Sequence, residues 1–222
     1  MPATALRCAK LLIMATKRIL LVEGNDDEHV FKAIFGQHNL AHLDEIKEHG
    51  GYTNLIEALP LRLVESDVLV LGVVCDADEN PTHRWDSIRS RLEHAGYMNV
   101  PVKLNPDGLV ITPPEATLLP RFGIWVMPDN QIPGILEKFL ELLVPPGDKL
   151  FKYTENCLNN IPADIRLFRD VDIPKAKIHT WLAWQEEPGK PLGQSITRKV
   201  LRAESPTCQQ IVSWLKRLYF EW

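Results

Sequence analysis

Residues 68–78 read VLVLGVVCDAD, an apolar run of eight residues followed by the two aspartates Asp76 and Asp78. A run of this kind, rich in β-branched residues, predicts a strand buried on both faces in the middle of a parallel sheet. A second such run, KRILLV at residues 17–22, leads directly into Glu23-Gly24. Carboxylates therefore follow both predicted strands, and the carboxyl ends of parallel strands meet at the edge where α/β proteins bind their ligands.

Helical patterns alternate with these strands. Apolar residues at helical spacing predict helices from Asp26 or Asp27 to about Gln37, over 52–65 and over about 81–95, with a weak strand at 42–48. This β-α-β-α-β-α order predicts a doubly wound, Rossmann-like sheet with right-handed crossovers. Further short elements are expected as strands at 100–103, 109–112 and 122–127, at least one of them antiparallel at an edge, and as a helix at 132–143.

The composition changes after residue 147. Strand patterns disappear, and helical stretches follow at about 149–160, 176–184 and 206–220. We expect three regions: an N-terminal tail without function or order at 1–16, an α/β domain at 17–144, and a helical C-terminal cap packed on that domain at 145–222.

Composition limits the classes of function. The net charge of −4 disfavours nucleic-acid binding, which usually comes with a basic domain, but leaves room for a local basic strip. The four cysteines are far apart and lack C-x-x-C spacing, which disfavours zinc and disulfides and favours a reduced, cytoplasmic setting. No stretch approaches the roughly 18–20 apolar residues of a membrane span.

The two acidic segments predict a metal site. Asp27 lies one helical turn after Glu23, and an extended backbone would place Asp76 and Asp78 on the same side. Close carboxylates repel one another unless a cation lies between them, and oxygen ligands suit Mg²⁺ or Mn²⁺. Helix capping is the alternative for the segment at 23–27, although capping accounts for only one of the two later aspartates.

These segments resemble the TOPRIM domain of topoisomerases, bacterial primases and OLD (overcoming-lysogenization-defect) nucleases. In that domain one strand ends in Glu-Gly, with an acid soon after, and a strand about fifty residues later ends in Asp-x-Asp. The likeness to OLD-type proteins and an allied small family extends to the segments VMPDN (126–130), GILE (134–137), KAKIHTWLA (175–183) and PLG (191–193). It implies a two-metal site formed by Glu23, Asp27, Asp76, Asp78 and Glu137.

Other residues are weaker candidates for the site. Asp129 follows a predicted strand and Glu137 lies on the next helix, so both could reach the sheet edge as metal ligands; capping and solvent exposure are the alternatives. Lys175 and Lys177 could hold a phosphate or act as a base, unless they form a solvated face. Glu23 is the candidate for a direct catalytic role, as ligand or as acid/base.

The expected function is Mg²⁺- or Mn²⁺-dependent hydrolysis of phosphodiesters in DNA or RNA. Asn80 stands where topoisomerases have a third acid, which argues against that activity. OLD-type proteins commonly work with an ABC-type ATPase; the chain has no G-x-x-x-x-G-K-[ST], so such an ATPase would be a separate partner. A homo-oligomer also remains open, as does a module that binds a metal, nucleotide or protein without turnover.

Overall fold

A five-stranded sheet forms the centre of the protein. The computed structural model describes residues 15–221. The strands are β1 (Lys17–Val22), β2 (Glu45–Glu48), β3 (Val68–Asp76), β4 (Leu109–Ile111) and β5 (Arg121–Met127). Their order is β2-β1-β3-β5-β4, with every neighbouring pair parallel except β4 and β5. The predicted mainly parallel, Rossmann-like α/β sheet is confirmed, and so is an antiparallel strand at its edge.

Helices cover both faces of the sheet. They are α1 (Asn25–Gln37), α2 (Tyr52–Arg62), α3 (Pro81–Ala95), α4 (Leu136–Glu141), α5 (Lys149–Asn159), α6 (Ile173–Ala183), α7 (Leu192–Thr197) and α8 (Pro206–Tyr219). Side chains alternate across β1, so Leu20 and Val22 pack with α1 and α8, whereas Ile19 and Leu21 pack with α2 and α3. The apolar runs of the sequence are therefore buried from two sides.

The C-terminal helix α8 lies directly against the sheet. The Tyr219 hydroxyl donates a hydrogen bond of 2.7 Å to the carbonyl of Ile19 in β1. The close approach of α8 to β5 requires glycine at position 123, because a Cβ there would lie 2.5 Å from a methyl group of Leu218. The C-terminal part of the chain thus completes the main hydrophobic core.

Several elements differ from the sequence predictions. No strand forms at 100–103: the indole of Trp85 donates to the carbonyls of Pro101 and Val102, at 3.1 and 3.2 Å, and Val102 is exposed. The N-cap of α1 is Gly24 rather than Asp26 or Asp27.

Helix boundaries also differ. The helix predicted at 132–143 begins only at Leu136, because Gly134 pairs its backbone with Asp78 instead. Helix α7 was not predicted. Of the tail predicted at 1–16, residues 1–14 lie outside the described part of the chain. Within residues 15–221, no helix has the length and apolarity to cross a membrane.

Candidate metal centre

Adjacent strands bring the first two acidic segments together. β1 and β3 are parallel neighbours, with Leu21 opposite Val73, and Glu23 and Asp76 stand at their carboxyl ends. The backbone N–H of Asp76 donates to Glu23 Oε1 at 2.8 Å. The sheet register thus joins two residues that are 53 positions apart.

Asp27 is fixed in the first turn of α1. Its Oδ2 atom accepts a hydrogen bond of 3.1 Å from the backbone N–H of Gly24, and the residue is buried with 7% of its surface exposed. A carboxylate in the first turn of a helix also faces the positive end of the helix dipole. Capping therefore explains part of the position of Asp27 but not its proximity to other acids.

A short backbone bridge brings Glu137 to the same edge. The extended backbone of β3 ends at Asp76, and Asp78 adopts a left-handed conformation with φ of 49°. Asp78 and Gly134 exchange two backbone hydrogen bonds, of 3.0 and 2.9 Å. This bridge fixes the segment before α4 against the end of β3, and α4 carries the buried Glu137.

We call five carboxyl groups the acidic cluster: Glu23, Asp27, Asp76, Asp78 and Glu137. Burial and neighbouring charges raise the pKa of three of them. Burial, and then the charges of the other four, raise the pKa of Asp76 to about 9. Burial and then Glu23 raise the pKa of Asp27 to about 7. Burial also raises the pKa of Glu23, against the hydrogen bond from Asp76. The charges of neighbouring carboxylates thus contribute to all three raised pKa values, and ionising these groups together requires a compensating cation.

Two basic side chains already neutralise the rim of the cluster. The Arg84 guanidinium donates to Asp78 Oδ2 through Nη2 and to the carbonyl of Asp76 through Nε, the latter at 3.1 Å. Lys175 Nζ lies 3.4 Å from Glu137 Oε1. By contrast, Asp76 Oδ1 is buried without a hydrogen-bond partner among residues 15–221. The interior of the cluster thus holds an unsatisfied polar atom, whereas the carboxyl groups of Asp78 and Glu137 are paired.

The structure gives two predicted site residues other contacts. Asp129 Oδ1 accepts hydrogen bonds from the backbone N–H groups of Gln131 and Ile132, both at 3.0 Å, which is the role of a turn cap. The side chain of Lys177 is mostly buried, with its Nζ 3.2 Å from both Glu141 and Glu155. Lys177 thus pairs with acids outside the cluster, whereas Lys175 contacts it.

Sequence analysis missed Arg84. The residue lies in the first turns of α3, four residues after the N-cap Asn80, and it reaches back to the end of β3. The available signal was a basic residue at the start of the helix that follows Asp-x-Asp. Arg84 lies six residues after Asp78, a spacing that neither helical nor strand periodicity brings together. The contact depends on the turn between the two residues, which the sequence pattern does not show.

The donor chemistry of the cluster fits a divalent cation. Among residues 15–221, no three His, Cys, Asp or Glu side chains are grouped closely enough to hold a metal ion as they stand. However, the cluster offers only oxygen ligands, as Mg²⁺ and Mn²⁺ prefer. A cation would also satisfy the buried Asp76 Oδ1, which otherwise costs free energy.

The fold and the cluster define an α/β protein with a partly buried acidic site at the carboxyl edge of its sheet. The family of proteins of unknown function DUF3226 matches residues 17–220. The chain therefore belongs to DUF3226. No curated protein and no solved structure matches the chain significantly.

Proposed function

We propose that the protein is a Mg²⁺- or Mn²⁺-dependent phosphodiester hydrolase, a nuclease of TOPRIM and OLD type. The observation that carries this proposal is the buried, unpartnered Asp76 Oδ1 among four further carboxyl groups. Buried acids that belong to a structural ion-pair network are normally paired. Its place at the carboxyl ends of β1 and β3 is where α/β proteins bind ligands.

The residues of the cluster have distinct roles in this proposal. Asp76, Asp78, Asp27 and Glu137 hold the cation, and Glu23 serves as ligand or as acid/base. A bound divalent cation supplies positive charge that stabilises the transition state of phosphodiester cleavage. Lys175, with its side chain 55% exposed beside Glu137, can hold a phosphate at the rim.

The proposal extends to the partners and the location of the protein. The substrate is DNA or RNA. The likeness to OLD-type proteins suggests a separate ABC-type ATPase as partner, and a homo-oligomer is compatible with the proposal. Two of the cysteines, Cys75 and Cys208, are free and buried, which agrees with a reduced, cytoplasmic setting.

Cleavage assays with matched variants test this function. Purified protein is incubated with supercoiled DNA and with structured RNA, in Mn²⁺, in Mg²⁺ or in chelator. We expect metal-dependent cleavage by the wild type and none by Glu23→Gln or Asp78→Asn. Each variant loses a carboxylate that would hold the cation in position to stabilise the transition state. The control is Asp86→Asn, an exposed aspartate of α3, which should cleave like the wild type.

Three results would redirect the proposal. Cleavage that survives in both cluster variants would indicate a contaminant or another site. Activity that appears only after addition of an ATPase partner would indicate a two-component nuclease. Inactivity under every condition would refute hydrolysis by this chain.

A binding module without turnover is the second candidate. It is favoured by the pairing of Arg84 with Asp78 and of Lys175 with Glu137, which already offsets part of the negative charge of the cluster. Metal binding without cleavage would support this candidate.

A further inference from the structure

A cleft of about 910 Å³ opens beside the acidic cluster. It lies between the start of α3, the segment before α4 and the turn before α6. Its lining includes Tyr52, Asp78, His83, Arg84 and Arg169. Two arginines and a histidine face this cleft together with three acids, Asp78, Glu79 and Asp170. Arg169 is paired with Asp172, so Arg84 is the arginine of the lining that a change at Asp78 would release toward a phosphate.

Arg84 connects the cleft to the cluster. Its guanidinium pairs with Asp78, donates to the carbonyl of Asp76, and stacks on the Tyr52 ring with 3.7 Å between Cζ and the ring centroid. Burial acts to lower the pKa of Arg84, but the charges of Asp78 and Glu23 together outweigh it, so the pKa is raised. Arg84 is therefore the cation that pairs with Asp78 in this structure.

A divalent cation and Arg84 compete for Asp78. Once a cation binds that carboxylate, the guanidinium loses its strongest partner while still facing the cleft. A phosphate is then its natural partner, because the planar guanidinium fork matches two phosphate oxygens. We propose that Arg84 moves from Asp78 to a phosphate of the substrate when the cation binds, and that the substrate enters this cleft as an unpaired nucleic-acid strand. This inference rests on the proposed function.

The size and lining of the cleft favour a single strand over a duplex. Its volume lies within the roughly 300–1,000 Å³ of typical ligand pockets, which suits a few nucleotides of one strand. Movement of Arg84 would also uncover a face of the Tyr52 ring, and aromatic rings bind single strands by stacking on bases. The Tyr52 hydroxyl is itself buried with no hydrogen-bond partner in the described part of the chain, so the wall of the cleft contains an unsatisfied polar atom.

Calorimetric titration of the full chain tests the exchange without measuring catalysis. Mn²⁺ is titrated first, and then single-stranded octathymidylate with phosphorothioate linkages that resist hydrolysis. Arg84→Gln should bind Mn²⁺ about 3–10-fold more tightly, because the competitor for Asp78 is gone. The same variant should bind the strand at least about tenfold more weakly, because a charged hydrogen-bond donor is lost.

Matched variants separate this role from a structural one. Arg84→Lys keeps the charge without the fork, so its Mn²⁺ affinity should match the wild type and its strand affinity should be intermediate. Arg89→Gln removes an arginine of the same helix, paired with Glu93 outside the cleft, and should change neither affinity. Thermal melting of each variant excludes loss of folding.

Each failure has a separate meaning. The exchange would be overturned if the wild type binds Mn²⁺ but Arg84→Gln shows neither tighter Mn²⁺ binding nor weaker strand binding. The proposed function would still stand after that result. Absence of Mn²⁺ binding by both the wild type and Arg84→Gln would overturn both. Tighter binding of a duplex with the same linkages than of the single strand would refute the unpaired substrate.

Discussion

Asp76→Asn should make the protein more stable at neutral pH. Asp76 has a pKa of about 9 in the folded protein, so it retains a proton that the unfolded chain releases above about pH 4. The native state is therefore favoured most at low pH, and the free energy of unfolding falls as pH rises from about 4 to 9. Asparagine keeps the size of the side chain and does not titrate, so the variant avoids this fall in the free energy of unfolding.

The magnitude follows from the pKa shift. Each pH unit above the unfolded pKa is worth about 1.4 kcal/mol, which gives about 4 kcal/mol at pH 7. Because Asp76 keeps partial contact with solvent, we take half of this value. The expected gain in the free energy of unfolding is about 2 kcal/mol at pH 7 and below about 1 kcal/mol at pH 5.

Urea denaturation at pH 5, 6, 7 and 8, in chelator, measures this difference. The control is Asp86→Asn, an exposed site that should change stability by less than about 0.5 kcal/mol at every pH. A gain for Asp76→Asn that is independent of pH would refute the reasoning, since it would show that Asp76 does not hold a proton in the native state. A loss of stability at pH 7 would mean that the carboxylate is ionised and satisfied.

Three further predictions concern the cluster and its surroundings. Millimolar Mg²⁺ or Mn²⁺ should raise the melting temperature of the wild type and raise that of Asp76→Asn less, because a ligand of the native state stabilises it by mass action; equal shifts would indicate binding elsewhere. Gly123→Ala should lower the free energy of unfolding by about 1–3 kcal/mol, since its methyl group meets Leu218 of α8, and denaturation that matches the wild type would show that α8 can move away. Lys177→Met should destabilise by about 2 kcal/mol, because the half-buried Glu141 keeps Lys138 but loses its second cation, yet should keep any cleavage activity; loss of cleavage in a folded variant would restore a catalytic role for Lys177.

The sequence alone determined the sheet and one edge of the site. The short apolar runs at 19–22 and 68–75 predict strands buried inside a sheet, and the acids that follow are covalently fixed to the strand ends. Both features are local, because the period of the side chains and the direction of the chain decide them. The same reasoning failed at 100–103, where a contact with the distant Trp85 occupies the backbone carbonyls that a strand would need.

Only the tertiary structure decided how the cluster is completed and neutralised. Glu137 reaches the edge through the bridge between Asp78 and Gly134, and Arg84 reaches Asp78 around the turn before α3. Lys175 and Lys177 are two residues apart on α6, yet one contacts the cluster and the other is buried between different acids. No local pattern encodes these differences, because they depend on which distant side chains the packed helices bring within a few ångströms.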